Sequence, residues 1–237
     1  MQISHDYVTR FLGTSVQAPR NKPDVTDDVF SSVVNSAGGH QLMIDCSRCI
    51  NVQSFDCLSG CRALLYLDLS FTSFSNLSIV TNCTVLKALN VAHNPIVDFS
   101  PIQELVTLEV LNLRHTNFSD CSLLHSLQLL RSLDLGETAI STITPLVHMY
   151  RLEELLLDRC ADLITSTSNP EIVEPTFAIG IDSNRDTTKE NELRETLLKL
   201  SGLRLVNVSD IGVSDEWMDG YLALSHEEIC VESKSRR

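Results

Sequence analysis

The sequence predicts an α/β solenoid: stacked coils, each a short strand and a tight returning turn, with helical caps at both ends. Three observations predict it. First, an apolar skeleton returns every 22 residues, as "LLYLDLSFTSF" from Leu64, "LKALNVAHNPI" from Leu86, "LEVLNLRHTNF" from Leu108, "LRSLDLGETAI" from Leu130 and "LEELLLDRCAD" from Leu152. Second, the Leu-x-Leu half of each copy alternates, as a strand with one inward side must. Third, the other half places an apolar residue at every third position, Ile96, Phe99, Ile102, Leu105 and Leu108 in one copy and Ile140, Ile143, Leu146, Met149 and Leu152 in another. That spacing suits a near-three-fold helical turn. No single coil buries its own apolar side, so coils stack at about 4.8 Å per strand, with a curved parallel sheet on the concave side.

The elements follow in order. Residues 1–40 hold an N-terminal arm and a capping helix in "DVTDDVFSSVV", with Val25, Val29, Val33 and Val34 at helical spacing and Thr26 or Asp24 as N-cap. Residues 41–163 are the repeats, opened by a degenerate copy, "QLMIDCSRCIN". Residues 164–193 are an insertion, broken by Pro170 and Pro175, in which "TFAIGID" alternates like a short strand. It is either a partner-specific arm or a mobile loop. It runs into a helix with Thr187 and Glu190 as capping box, Leu193, Leu197 and Leu200 along one side, and Gly202 as the stop. Residues 194–213 complete the last repeat, "LRLVNVSDIGV" from Leu203. Residues 214–237 form a C-terminal cap starting at Ser214, with Trp217, Tyr221 and Leu224 inward, and a loosely ordered tail from Ser225.

These residues carry a resemblance. The chain is similar to leucine-rich-repeat proteins over residues 41–165 and, more weakly, 194–213. Its pattern Leu-x-x-Leu-x-Leu-x-x-(Asn/Thr/Cys)-x-Ile-x-x-Ile-x-x-Leu-x-x-Leu resembles the 22-residue subtype named after a regulatory subunit of protein phosphatase 1. The Asn usual in that subtype stands only at Asn94; Thr72, Thr116, Thr138, Cys49 and Cys160 replace it, all able to hydrogen-bond turn backbone. The resemblance implies a non-catalytic interaction module. Relatives of the subtype serve as phosphatase regulators, axonemal dynein-associated chains and spliceosomal subunits. The expectation drawn from it is a structural subunit of a cytoskeletal or ciliary hetero-complex. The alternatives are a phosphatase-type regulator gripping an enzyme, and the protein-binding subunit of an RNP.

Composition narrows the partner. The net charge is −13, with the acid excess spread along the chain. That argues against direct nucleic-acid binding, which needs clustered Lys and Arg, and favours a protein partner of basic or mixed surface. No apolar run approaches the roughly 20 residues that span a bilayer, and "MQISHDYVTRFLG" lacks the basic-then-apolar order of a secretory leader. The expected place is therefore cytoplasmic, in or near a cilium, with the eight cysteines reduced. The spacing Cys46-x2-Cys49 with Cys57-x3-Cys61 invites a zinc reading. The repeat register opposes it, since Cys46, Cys61, Cys83 and Cys121 align with inward apolar positions and Cys49 and Cys160 with the turn. No phosphate-binding glycine loop, His-Glu-x-x-His or Gly-x-Ser-x-Gly is present, so neither enzyme activity nor a cofactor nor a metal is expected.

The candidate binding surface is the concave face, whose residues flank the inward leucines and stack in columns. One column runs Met43, Tyr66, Ala88, Val110, Ser132, Glu154; the next runs Asp45, Asp68, Asn90, Asn112, Asp134, Leu156. Just beyond them come Phe71, His93, Arg114 with His115, Glu137 and Asp158. The expected contact set is Met43, Tyr66 and Phe71 as anchors, then Asp68, Asn90, His93, Asn112, Arg114 and His115, with Asp134, Glu137, Glu154 and Asp158 as an acidic end. His93 and His115 fall one coil apart and are read as surface residues rather than metal ligands.

Overall fold

The computed structural model describes residues 24–35, 42–164, 187–213, 217–218, 221 and 230–232. Eight strands form one parallel sheet in sequence order: β1 (Leu42–Asp45), β2 (Leu64–Asp68), β3 (Ala88–Asn90), β4 (Val110–Asn112), β5 (Ser132–Asp134), β6 (Glu154–Leu156), β7 (Leu205–Asn207) and β8 (Cys230–Glu232). The pairing register reproduces both columns read from the sequence, Met43↔Tyr66↔Ala88↔Val110↔Ser132↔Glu154↔Leu205 and Asp45↔Asp68↔Asn90↔Asn112↔Asp134↔Leu156↔Asn207. The every-third apolar spacing becomes short 3-10 segments at Asp56–Gly60, Leu77–Val80, Ser100–Glu104, Cys121–Leu124, Thr144–His148 and Ala161–Leu163. Four of their starts share one chemistry: Asn76, Asp98, Asp120 and Thr142, one per coil, accept the amides of Ser78, Ser100, Ser122 and Thr144. In two of these segments a proline, Pro101 or Pro145, fills the first turn.

One continuous core fills the coils. Leu67, Leu89, Leu111, Leu133 and Leu155 project into it from the strands, and Leu58, Val80, Ile102, Leu124 and Leu146 from the opposite side. Cys46, Cys49, Cys83, Cys121 and Cys160 are buried in the same core as free thiols, as the repeat register requires. Cys61 is only partly buried. Among the described residues, no three His, Cys, Asp or Glu side chains form a group able to hold a metal.

The turn column bonds as its residue types dictate. Thr72, Thr116 and Thr138 each donate to the carbonyl three residues back, Leu69, Leu113 and Leu135, at 2.8, 2.6 and 2.5 Å. Asn94 goes further: its amide nitrogen reaches the Leu69, Val91 and Ala92 carbonyls, and its oxygen accepts the Thr72 and Phe74 amides. A single Asn thereby ties its own turn to the preceding coil.

Both ends carry helices, with differences from the sequence expectation. At the front, Asp27–Asn35 buries Phe30 and Val34 while Val29 stands 45% exposed, so Phe30 takes the inward place assigned to Val29. The larger ring fills the end of the first coil and starts an edge-to-face series, Phe30 to Phe55 at 5.7 Å and Phe55 to Phe74 at 5.2 Å. Asp27 fastens this helix by accepting the amides of Gln53 and Ser54 at 2.7 and 3.0 Å. At the back, Thr187–Lys199 buries Leu193 and Leu197, and Leu200, just past its end, is buried with them. Glu192 accepts the hydroxyls of both Thr142 and Thr144, at 2.7 and 2.6 Å, which pins the helix to the fifth coil. Trp217 is buried, as expected, and its indole donates to the Glu190 carbonyl at 2.8 Å. Gly202 has a packing reason beyond ending the helix: a Cβ there would stand 2.8 Å from the Tyr150 carbonyl oxygen.

The last strand is unforeseen. A loose tail was expected from Ser225, yet Cys230–Glu232 pairs in parallel with β7, Leu205↔Cys230, Val206↔Val231 and Asn207↔Glu232. The unpaired edge of β7 attracts any extended segment that reaches it, and three residues suffice because β3 to β7 are equally short. The "TFAIGID" strand, Ser214 and Leu224 lie outside the described residues.

Candidate functional site: a wall of short strands and a left-handed rim

Strands β1 to β5 and β7 end in the same way, while β6 closes with Leu156. The Asp or Asn that closes each of the six accepts the backbone N–H two residues on: Asp45 from Ser47, Asp68 from Ser70, Asn90 from Ala92, Asn112 from Arg114, Asp134 from Gly136 and Asn207 from Ser209, at 2.8–3.1 Å. These side chains therefore hold the turn, an Asx motif repeated coil after coil. The next residue takes a left-handed backbone: Arg48, Phe71, His93, His115, Glu137, Arg159 and Asp210, with φ between 52° and 62°. None is glycine, so each costs about 1 kcal/mol against glycine at the same place. In return the turn aims an N–H at the next coil. The amides of Arg48, Phe71, His93, His115, Glu137 and Arg159 donate to the carbonyls of Ser70, Ala92, Arg114, Gly136, Asp158 and Ser209 at 2.8–3.0 Å, extending the sheet by one rung.

The left-handed side chains form a ladder along one rim of the concave wall. The Arg48 guanidinium lies 4.7 Å from the Phe71 ring centre, Phe71 stacks on His93 at 3.9 Å, and His93 stacks on His115 at 4.5 Å. His115 Nδ1 lies 3.0 Å from Glu137, Arg159 donates to Glu137 at 3.1 Å, and Arg159 reaches Asp210 at 3.4 Å. Seven side chains from seven coils are thus in continuous contact.

Beside the rim, Arg114 makes a second construction. It reaches over Gly136 to Asp158, two coils away, donating to both carboxylate oxygens, and also donates to Glu137 at 2.8 Å. A Cβ at Gly136 would stand 2.3 Å from Arg114 Nη1, so the glycine is the saddle over which the arginine lies. The Asp158 hydrogen bond, opposed by burial, raises the Arg114 pKa further. Burial also works against Glu137, but hydrogen bonds from Arg114 and His115 and the charges of Arg114 and Arg159 outweigh it, leaving Glu137 at about 2. Asp134 is the exception. It is fully buried, its nearest approach to Arg114 is 3.6 Å, and its Oδ2 has no hydrogen-bond partner among the described residues. Burial, reinforced by the charge of Asp158, raises it to about 6 against the pull of the Gly136 amide and Arg114.

The expected contact residues divide on these grounds. Met43 and Tyr66, taken as protruding anchors, are only 5% and 6% exposed and pack with Leu65, Ala88 and Val110 in a small second apolar cluster. Strands 4.8 Å apart leave side chains of one column resting on each other. Asn112, Asp134 and Asp158 are buried as well; Asp68, Phe71, Asn90, His93, Arg114, Glu137 and Glu154 are half-buried, and His115 is exposed. Arg48, Arg159 and Asp210 were absent from the expected set, yet they are exposed members of the rim. Their signal is positional: each follows a strand-closing Asp, Leu or Asn by three residues, as Phe71 and His93 do.

Comparison with solved structures decides the fold. An internalin (inlF) from Listeria monocytogenes superposes with a TM-score of 0.55 at 17% identity, covering 88% of this chain and 64% of its own. The fold is a leucine-rich-repeat solenoid. Internalin C2 from the same organism, inlC2, gives 0.55 at 19% identity over 82% of this chain and 69% of its own, and a leucine-rich-repeat protein of Leptospira interrogans gives 0.55 at 17% over 81% and 48%. The chain thus spans about two thirds of the internalins and half of the Leptospira protein. No protein-family model matches the sequence, and no curated protein sequence does.

Proposed function

We propose that this leucine-rich-repeat chain is a non-catalytic scaffold that holds a protein of mixed surface charge along the concave wall and its left-handed rim. The observation that carries this reading is the rim itself. Seven non-glycine residues keep a left-handed backbone in one column, where glycine would relieve the strain. What those residues retain is a row of outward side chains held in register by the stack. Arg48, half-buried Glu137, Arg159 and Asp210 alternate in sign along it, the pattern of a polar interface rim. The Asp and Asn column contributes rigidity rather than contact, being committed to backbone amides.

The reading includes a subunit of a hetero-complex, working in the cytoplasm. The seven cysteines from Cys46 to Cys160 are free thiols, which fits a reducing compartment. The test is site-specific photo-crosslinking in cell extract, with the photoreactive residue at Arg48 or Arg159 on the rim and at exposed Ser78 on the convex side. The expected result is a discrete protein adduct from the rim positions and none from Ser78. Adducts from Ser78 alone would overturn the assignment of the surface.

A further inference from the structure

The centre of the rim is two stacked imidazoles, and the contacts around them differ. His93 is half-buried between Phe71 and His115, with interplanar angles of 14° and 26°. His115 is exposed, and its Nδ1 is 3.0 Å from the Glu137 carboxylate. The charged groups facing His93 are His115, Glu137, Arg114 and Arg48, three of them cationic when His115 holds a proton. Two imidazolium rings 4.5 Å apart repel, so the stack disfavours a proton on half-buried His93.

We propose that the His93–His115 stack is a proton-operated joint in the partner-facing rim. With His93 neutral the ladder is continuous from Arg48 to Asp210; a proton on His93 parts the rings and breaks the ladder at its centre. Burial first, and then the His115 charge, hold His93 below the usual imidazole value, while Glu137 pulls the other way. Because the unfolded chain takes that proton more readily, this arrangement loses stability as pH falls below the unfolded value of 6.5. The proposal rests on the reading of the rim as a docking surface, since it names how that surface is regulated.

The test is read on the free full-length chain, so failure to find a partner and failure of the joint are distinguishable. Imidazole and Phe71 ring proton resonances are followed by NMR from about pH 8 to about pH 5. The expected result is a His93 midpoint below that of a free imidazole, with the Phe71 ring signals moving in the same transition. His115→Gln should shift the His93 midpoint upward, and His93→Gln should leave the Phe71 signals flat across the range. A His93 midpoint unchanged by His115→Gln, or Phe71 signals that stay still while His93 titrates in the native chain, would overturn the proposal.

Discussion

Replacing Arg114 by alanine is expected to lower the unfolding free energy by about 3–5 kcal/mol, the range for breaking a buried ion pair from one side. The side chains of Arg114 and Asp158 are 14% and 11% exposed, and Asp134 is fully buried, so solvent screens the group weakly. Without the guanidinium, Asp158 loses its bidentate partner, Glu137 keeps only Arg159 and His115, and Asp134 loses its nearest cation. Arg114→Lys should recover part of the loss, because an ammonium supplies charge but not the fork that spans Asp158 and Glu137. Gly136→Ala should cost less than Arg114→Ala, since its new methyl displaces only the ends of the Arg114 and Asp158 side chains and leaves both charges in place. Urea unfolding followed by circular dichroism measures all three. A loss below about 1 kcal/mol for Arg114→Ala, the worth of an exposed pair, would show that the cluster is solvated in solution.

Asp134→Asn is expected to act in the opposite direction, stabilising the fold by roughly 1–3 kcal/mol at neutral pH, taking about 1.36 kcal/mol per pKa unit. The folded carboxyl is pushed up to about 6 from the ordinary aspartate value of 3.8. The folded state therefore holds its proton where the unfolded state has already released it. Stability associated with Asp134 is fully present below pH 3.8 and is lost as pH rises through about 6. Asparagine has no such loss, and it fits: Asn90, Asn112 and Asn207 fill the same column and accept the same turn amide. His93 and Glu137 act alike on both chains, so the difference in unfolding free energy between the variant and the native chain should grow as pH rises through that window. A difference that stays constant or shrinks as pH rises would contradict the assignment.

The architecture was legible because one period governs it. Leucines that recur every 22 residues must stack, and the stack fixes strand register and the inward cysteines without further information. Neighbours across coils decide what the period leaves open. Val29 and Phe30 both suit a helix face, and only the space at the end of the first coil selects the ring. Met43 and Tyr66 face the concave side as expected, but adjacent side chains cover them. The rim was half legible. Phe71, His93, His115 and Glu137 were singled out by column, whereas the left-handed turn that joins them to Arg48, Arg159 and Asp210 leaves no mark in a sequence that uses no glycine or asparagine there. The eighth strand was not legible at all, because it lies outside the period.

The most direct test of the central claim is a hydrogen–deuterium exchange footprint of the chain alone and bound to its crosslinked partner. The account predicts that binding slows exchange at strand ends and rim, in segments 45–48, 68–71, 90–93, 112–115, 134–137 and 156–159, while the convex turns 77–80 and 121–124 stay unchanged. Slowing confined to those convex turns, with the rim exchanging as in the free chain, would contradict it.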